Sequence, residues 1–198
     1  MAMRALDWQR FLQQQRDDHK VVFTPAELAN VAQASPQVLN VVLQRLVKRG
    51  VLVRYAVGRY GLPGAVQAED LVAALDSAAY ITGLYALHQH GLVTQTPTEI
   101  TCFTNRRHNR SRIRKTPLGR FVFMCVGATV YAAPQAGAMA SGEQAFCDFI
   151  LICRKRGVIA SSLVTFRNLE HLDREILTES LRRYPAVVRR AAESILSP

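Results

Sequence analysis

Two proline-primed helix starts, eleven residues apart, constrain this chain more than any other feature. In Thr24-Pro25-Ala26-Glu27 the threonine hydroxyl can accept the backbone N–H three residues on, the glutamate can reach back, and the proline suits the first helical position. The pairing recurs in Ser35-Pro36, so one helix ends and another begins across a short turn. The second helix carries Leu39, Leu43 and Leu46 at spacings of four and three, with Val42 and Val47 beside them. One stripe is therefore buried, and Gln37, Asn40, Gln44, Arg45 and Lys48 lie away from it. Gly50 closes this helix, and residues 51–55 read as a strand that turns near Gly58 and returns through Arg59-Tyr60-Gly61. Two capped helices followed by a short basic hairpin is the order of a winged helix-turn-helix, with the hairpin as the wing.

A major groove admits one helix, is read by side chains with paired donors and acceptors, and needs nearby cations to hold the phosphates. The helix after Ser35 carries amides near its start and cations near its end. Sequence reasoning therefore assigns Ser35, Gln37, Asn40 and Gln44 to base edges or the groove wall. Arg45, Lys48, Arg54 and Arg59 are assigned to phosphates, with double-stranded DNA as the partner. A winged helix can also dock a protein, and that alternative stays open.

The charge balance agrees. Twenty-five Lys and Arg against fifteen Asp and Glu give a formal charge of +10. The excess is heaviest at the front: nine cations to four carboxylates over residues 1–62, seven to four over 63–142 and nine to seven over 143–198. Such a balance favours nucleic acid or an anionic surface. No apolar run approaches the ~20 residues of a spanning helix. The first residues, with Asp7, Arg10 and a glutamine run, lack the apolar core of a signal peptide, so a cytoplasmic protein without a membrane role is expected. The four cysteines, Cys102, Cys125, Cys147 and Cys153, sit in apolar segments and never at two-residue spacing. Buried thiols are expected rather than disulfides or zinc.

A chain of 198 residues has room for a domain of about 60 residues and a larger companion. Leu6, Trp8, Phe11 and Leu12 give a first helix an apolar side, and Leu62-Pro63-Gly64 ends the hairpin. The expected division is a winged helix-turn-helix domain over 1–64 and a mixed α+β domain over 65–198. In the latter, 69–74 and 77–90 read as helices, the second capped by Asp76 or Ser77, striped by Tyr80, Leu84 and Leu87, and stopped by Gly91. Residues 99–104 alternate and are rich in β-formers, and 119–126, with Phe121, Val122, Phe123 and Val126, is a second strand. Residues 143–156 are helical again, burying Phe146, Phe149, Ile150 and Cys153 ahead of Arg154-Lys155-Arg156 and Gly157. Helices follow near 169–183 and 185–196. No repeat, low-complexity tract or heptad appears, so a monomer is expected.

Between the two strands lies the densest charge run: Arg106, Arg107, Arg110, Arg112, Arg114 and Lys115, with His108 and Asn109 among them. Six cations in ten residues point to a second phosphate-contacting surface, on DNA or RNA. The alternative is a soluble loop whose charges block edge pairing.

Catalytic constellations are missing. His88 and His90 are two apart on an expected helix, hence on different faces, with no carboxylate motif beside them. There is no glycine-rich phosphate loop, no nucleophile elbow around Ser161-Ser162 and no close Asp-x-Asp pair, and Asp17-Asp18 reads as a solvated helix end. A non-enzymatic chain with no catalytic residue, no metal and no cofactor is expected.

Three stretches fall in a particular order: the N-terminal unit ending in Arg54-Tyr55 and Gly58-Arg59-Tyr60-Gly61-Leu62-Pro63-Gly64; Tyr80-Ile81-Thr82-Gly83-Leu84-Tyr85-Ala86-Leu87-His88 with Gly91-Leu92 and Thr94; and Glu143-Gln144-Ala145-Phe146-Cys147-Asp148-Phe149. Over nearly the whole chain this order and spacing resembles the AbiEi-type antitoxins of type IV toxin–antitoxin (abortive-infection) systems. The resemblance implies a two-domain protein whose winged domain represses the promoter of its own operon, through residues 35–48 and the wing at Arg54 and Arg59. It also implies that the C-terminal domain helps counteract a nucleotidyltransferase-like toxin without a tight complex. Antitoxic action attaches to that domain as a whole. The 106–115 run is more arginine-rich than the family pattern, which leaves room for a wider nucleic-acid footprint. The expectation is a DNA-binding transcriptional repressor and antitoxin. A stand-alone winged-helix regulator, a protein-docking module and an RNA binder using Phe103 with the arginine run stay open.

Overall fold

Both expected helix caps form, at Thr24 and at Ser35. The computed structural model describes residues 5–107 and 111–197, and its architecture is mixed α+β. The first elements are α1 (Ala5–Asp17), β1 (Val22–Phe23), α2 (Pro25–Ala32), α3 (Pro36–Lys48), β2 (Val53–Ala56), β3 (Arg59–Gly61) and α4 (Ala68–Leu75). Thr24 Oγ1 accepts from the Glu27 N–H at 3.3 Å while Glu27 Oε2 accepts from the Thr24 N–H at 2.8 Å, and the Lys20 ammonium holds Glu27 Oε1 at 2.8 Å. Burial raises the Glu27 pKa, but Lys20 and the Thr24 donors outweigh it and hold the carboxyl below its usual range. Ser35 Oγ accepts from the Val38 N–H at 3.5 Å. Between the two helices Gln33 adopts φ 46°, which reverses the chain without a glycine.

Trp8, Leu12, Phe23, Leu28, Leu39, Leu43, Leu46 and Leu52 form one apolar cluster. Leu6, expected on the apolar side of α1, is exposed, because it lies about 200° around the helix from Trp8. The three strands form an antiparallel sheet in the order β1-β3-β2. Gly58 turns the β2–β3 hairpin at φ 67°. Residues 22–23 were not foreseen as a strand, since two residues leave no periodic signal.

The chain divides into two compact units, one running to Leu75 and including Thr116–Leu118, the other holding Asp76–Lys115 and everything from Gly119 on. The division thus falls after Leu75, not after Gly64 as the sequence suggested. The physical reason is α4: it packs on β1, and its Ala74 carbonyl accepts from Arg59 Nε at 2.7 Å. Val66 leads into it so closely that a Cβ on Gly61 would meet Val66 Cγ2 at 2.6 Å.

After Leu75 come β4 (Tyr80–Thr82), α5 (Gly83–Gln89), β5 (Ile100–Thr104), β6 (Ile113–Thr116), β7 (Gly119–Cys125), α6 (Gly142–Lys155), α7 (Ala160–Leu163), a 3-10 turn (Leu169–His171), α8 (Arg174–Arg182) and α9 (Ala186–Leu196). The strands are ordered β4-β5-β7-β6, with β5 antiparallel to β4 and parallel to β7. Every residue from Gln144 to Cys153 in α6 is buried, and α5, α8 and α9 pack against it, so α6 is the core of this unit.

Four expectations are corrected. The helix expected over 77–90 begins only at Gly83: Tyr80, Ile81 and Thr82 pair with Phe103, Cys102 and Thr101, and Gly83 at φ 65° turns strand into helix. Gly91 at φ 70° ends that helix where expected. The 106–115 run is not one loop, because 113–116 is the edge strand β6. The helix expected from 169 starts at Arg174, where Asp173 Oδ1 accepts from the Glu175 and Ile176 N–H groups at 2.8 and 3.0 Å. Cys102, Cys147 and Cys153 are buried, but Cys125, at the end of β7, is exposed. Among the described residues no helix is long and apolar enough to cross a membrane.

Candidate functional site

The burial of Leu39, Leu43 and Leu46 fixes the rotation of α3 and leaves Gln37, Asn40, Gln44, Arg45 and Lys48 exposed on its other side. Ser35 is exposed as well, and with one lone pair of its oxygen capping the helix, its proton and the second lone pair are left to face outward. Arg54 projects from β2 into solvent. This face can offer amide donor–acceptor pairs, with cations beside them.

Arg59 departs from its expected place among the phosphate-directed cations. It is half-buried, and its Nε and Nη1 donate to the carbonyls of Ala74 and Gly58 at 2.7 and 2.9 Å. Its guanidinium ties the hairpin to the end of α4. Sequence reasoning also passed over Val38 and Val41, which are 52% and 47% exposed on the outer side of α3. Val41 stands four residues from Gln37 and Arg45 and three from Gln44, with Val38 three residues before it, and that spacing was the signal available.

The arginine run separates into parts. Arg106 Nη1 lies 3.6 Å from Asp76 Oδ1 and 3.4 Å from Ser77 Oγ. Asp76 is buried and accepts from the Thr104 hydroxyl at 2.7 Å. Arg106 thus reaches a buried acid while its own side chain stays exposed, and Arg107 and Arg112, exposed as well, line a recess of about 750 Å³ with Asn105, Phe123 and Cys125. Arg114 folds back onto the carbonyls of Ser111 and Ile113, and Lys115 is exposed on β6. Arg110 lies outside the described residues, with His108 and Asn109.

Sequence reasoning missed the polar centre of the second unit entirely. Asp148, on α6, is fully buried and accepts from the hydroxyls of Tyr184 at 2.6 Å, Thr82 at 2.7 Å and Tyr80 at 3.3 Å. Burial pushes its carboxyl up to about 7, against the pull of the three hydroxyls and Arg183. Burial, reinforced by the Asp148 charge, pushes both tyrosine phenols up in turn. Next to this cluster the buried Gln144 donates from Nε2 to the Ala132 carbonyl at 2.7 Å. One signal was available: an aspartate amid the apolar residues of α6 needs buried partners.

His90 Nε2 lies 2.8 Å from the Ala140 carbonyl. Among the described residues no group of three or more His, Cys, Asp or Glu could hold a metal ion. No protein-family model matches this chain, and no curated protein matches it.

Proposed function

We propose that the first unit is a winged helix-turn-helix that reads double-stranded DNA, with α3 as recognition helix and the β2–β3 hairpin as wing, and that the protein represses its own promoter. The observation that carries this reading is the outward face of α3, where Gln37, Asn40 and Gln44 stand beside Arg45 and Lys48 while three leucines hold the opposite face in the core. The element order α1-β1-α2-α3-β2-β3 and the charge of +10 support it. On this reading Arg54 serves the wing and Arg59 positions the wing from behind, while Arg107, Arg112 and Lys115 give the second unit a phosphate-contacting surface of its own.

The resemblance to AbiEi-type antitoxins extends the proposal: a cytoplasmic, non-enzymatic repressor whose second unit helps counteract a nucleotidyltransferase-like toxin without binding it tightly. Footprinting on the DNA upstream of its own reading frame tests the repressor role. Protection of a short repeated or inverted site supports it, and uniform protection contradicts it. The exposed Val38 and Val41 favour a second reading, a protein-docking helix, under which the chain binds no DNA above the non-specific level.

A further inference from the structure

A cavity of about 730 Å³ opens in the second unit beside the first turn of α6 and along one side of α8. Pro134, Met139 and Ile176 give it apolar walls, and Arg183 and the buried Gln144 are among its lining residues. Its size is that of a small-molecule site, and its makeup, apolar with a few polar groups, is that of one too. Arg183 supplies the decisive detail. Its Nε is buried without a hydrogen-bond partner, and Nη2 has only the Ser180 hydroxyl at 3.4 Å. Nε has no surface open to the cavity, so a carboxylate there meets the guanidinium through its Nη groups, of which Nη2 holds only that long contact.

We propose that this cavity binds a small molecule carrying one carboxylate on a compact apolar body, with Arg183 as its anion-binding residue. Glu175 and Glu179 also line the cavity, and both are exposed; Glu179 is paired with Arg182 at 2.7 Å. Their negative charge disfavours a doubly charged phosphate and leaves a monocarboxylate as the better match. The apolar walls accept the remainder of such a ligand. Arg183 immediately precedes Tyr184, whose hydroxyl reaches Asp148, so an occupied site adjoins the buried polar centre.

Benzoate, benzyl alcohol and inorganic phosphate titrated separately into the isotope-labelled full chain test this, with the Arg183 Nε–H resonance and the amides of residues 141–144 followed by NMR. Saturable shifts with benzoate, at least about tenfold weaker ones with benzyl alcohol, none with phosphate, and about tenfold weaker benzoate binding by Arg183→Lys are expected. Equal responses to benzoate and benzyl alcohol would show an apolar recess only and overturn the proposal, as would no response to benzoate or full retention by Arg183→Lys. Where that variant fails to fold, the comparison of the three probes on the unmodified chain decides.

Discussion

The Tyr184 hydroxyl donates to Asp148 Oδ1 at 2.6 Å, joining the residue between α8 and α9 to the middle of α6. Thr82 and Tyr80 reach the other carboxylate oxygen from β4, so one buried acid gathers strand and helices around it. Tyr184→Phe leaves Oδ1 without that donor in a site closed to water. A loss of about 1–3 kcal/mol in urea unfolding is expected, with the secondary structure retained.

The same acid makes stability depend on pH. Its folded value of about 7 lies above the ordinary 3.8, so between those values the native state holds a proton that the unfolded chain has lost. Asp148 therefore favours folding less and less as pH rises from about 4 to about 7, with no further change above. Asp148→Asn removes this titration. Relative to the variant, the unmodified chain should lose on the order of 2 kcal/mol between pH 5 and 7, measured by urea unfolding at both pH values.

Arg54 and Arg59 stand on one hairpin but do different work. Arg54 is exposed, so Arg54→Gln should leave folding intact and lower the slope of log affinity against log salt on DNA by about 1. Arg59→Gln gives up bonds to two carbonyls and should cost about 1 kcal/mol of stability, with a smaller change in that slope. Anisotropy titrations over a salt series, paired with thermal melts, separate the two.

Gly83 stands where β4 becomes α5, at φ 65°, and a Cβ there would lie 3.0 Å from Ile152 Cδ1. Ile152 Cδ1 is a chain end that can shift, so the backbone conformation dominates the cost. Gly83→Ala is expected to lose about 1–2 kcal/mol by chemical unfolding.

What the sequence disclosed followed the range of the interactions involved. Thr24, Glu27, Ser35 and the leucines of α3 are settled within one or two helical turns, and they form as expected. Tyr80, Ile81 and Thr82 carry a helix-compatible pattern, and only pairing with Phe103, Cys102 and Thr101 makes them a strand. Arg59 reads as one more exposed cation until α4 arrives fifteen residues later to accept its Nε–H. Asp148 meets Tyr184, Thr82 and Tyr80 across separations of 36, 66 and 68 residues, which no local pattern encodes. The face of α3 was therefore legible, whereas the polar centre and the cavity beside it come from tertiary packing.

The central claim is that α3 reads sequence. The direct test is binding of the purified chain to its own upstream DNA and to a scrambled duplex at two salt concentrations, beside a variant carrying Asn40→Ala and Gln44→Ala. A preference for the upstream duplex that survives the higher salt and falls at least about tenfold in the variant is the predicted result. Equal, salt-sensitive binding to both duplexes, unchanged in the variant, would contradict it and leave charge alone as the source of the complex.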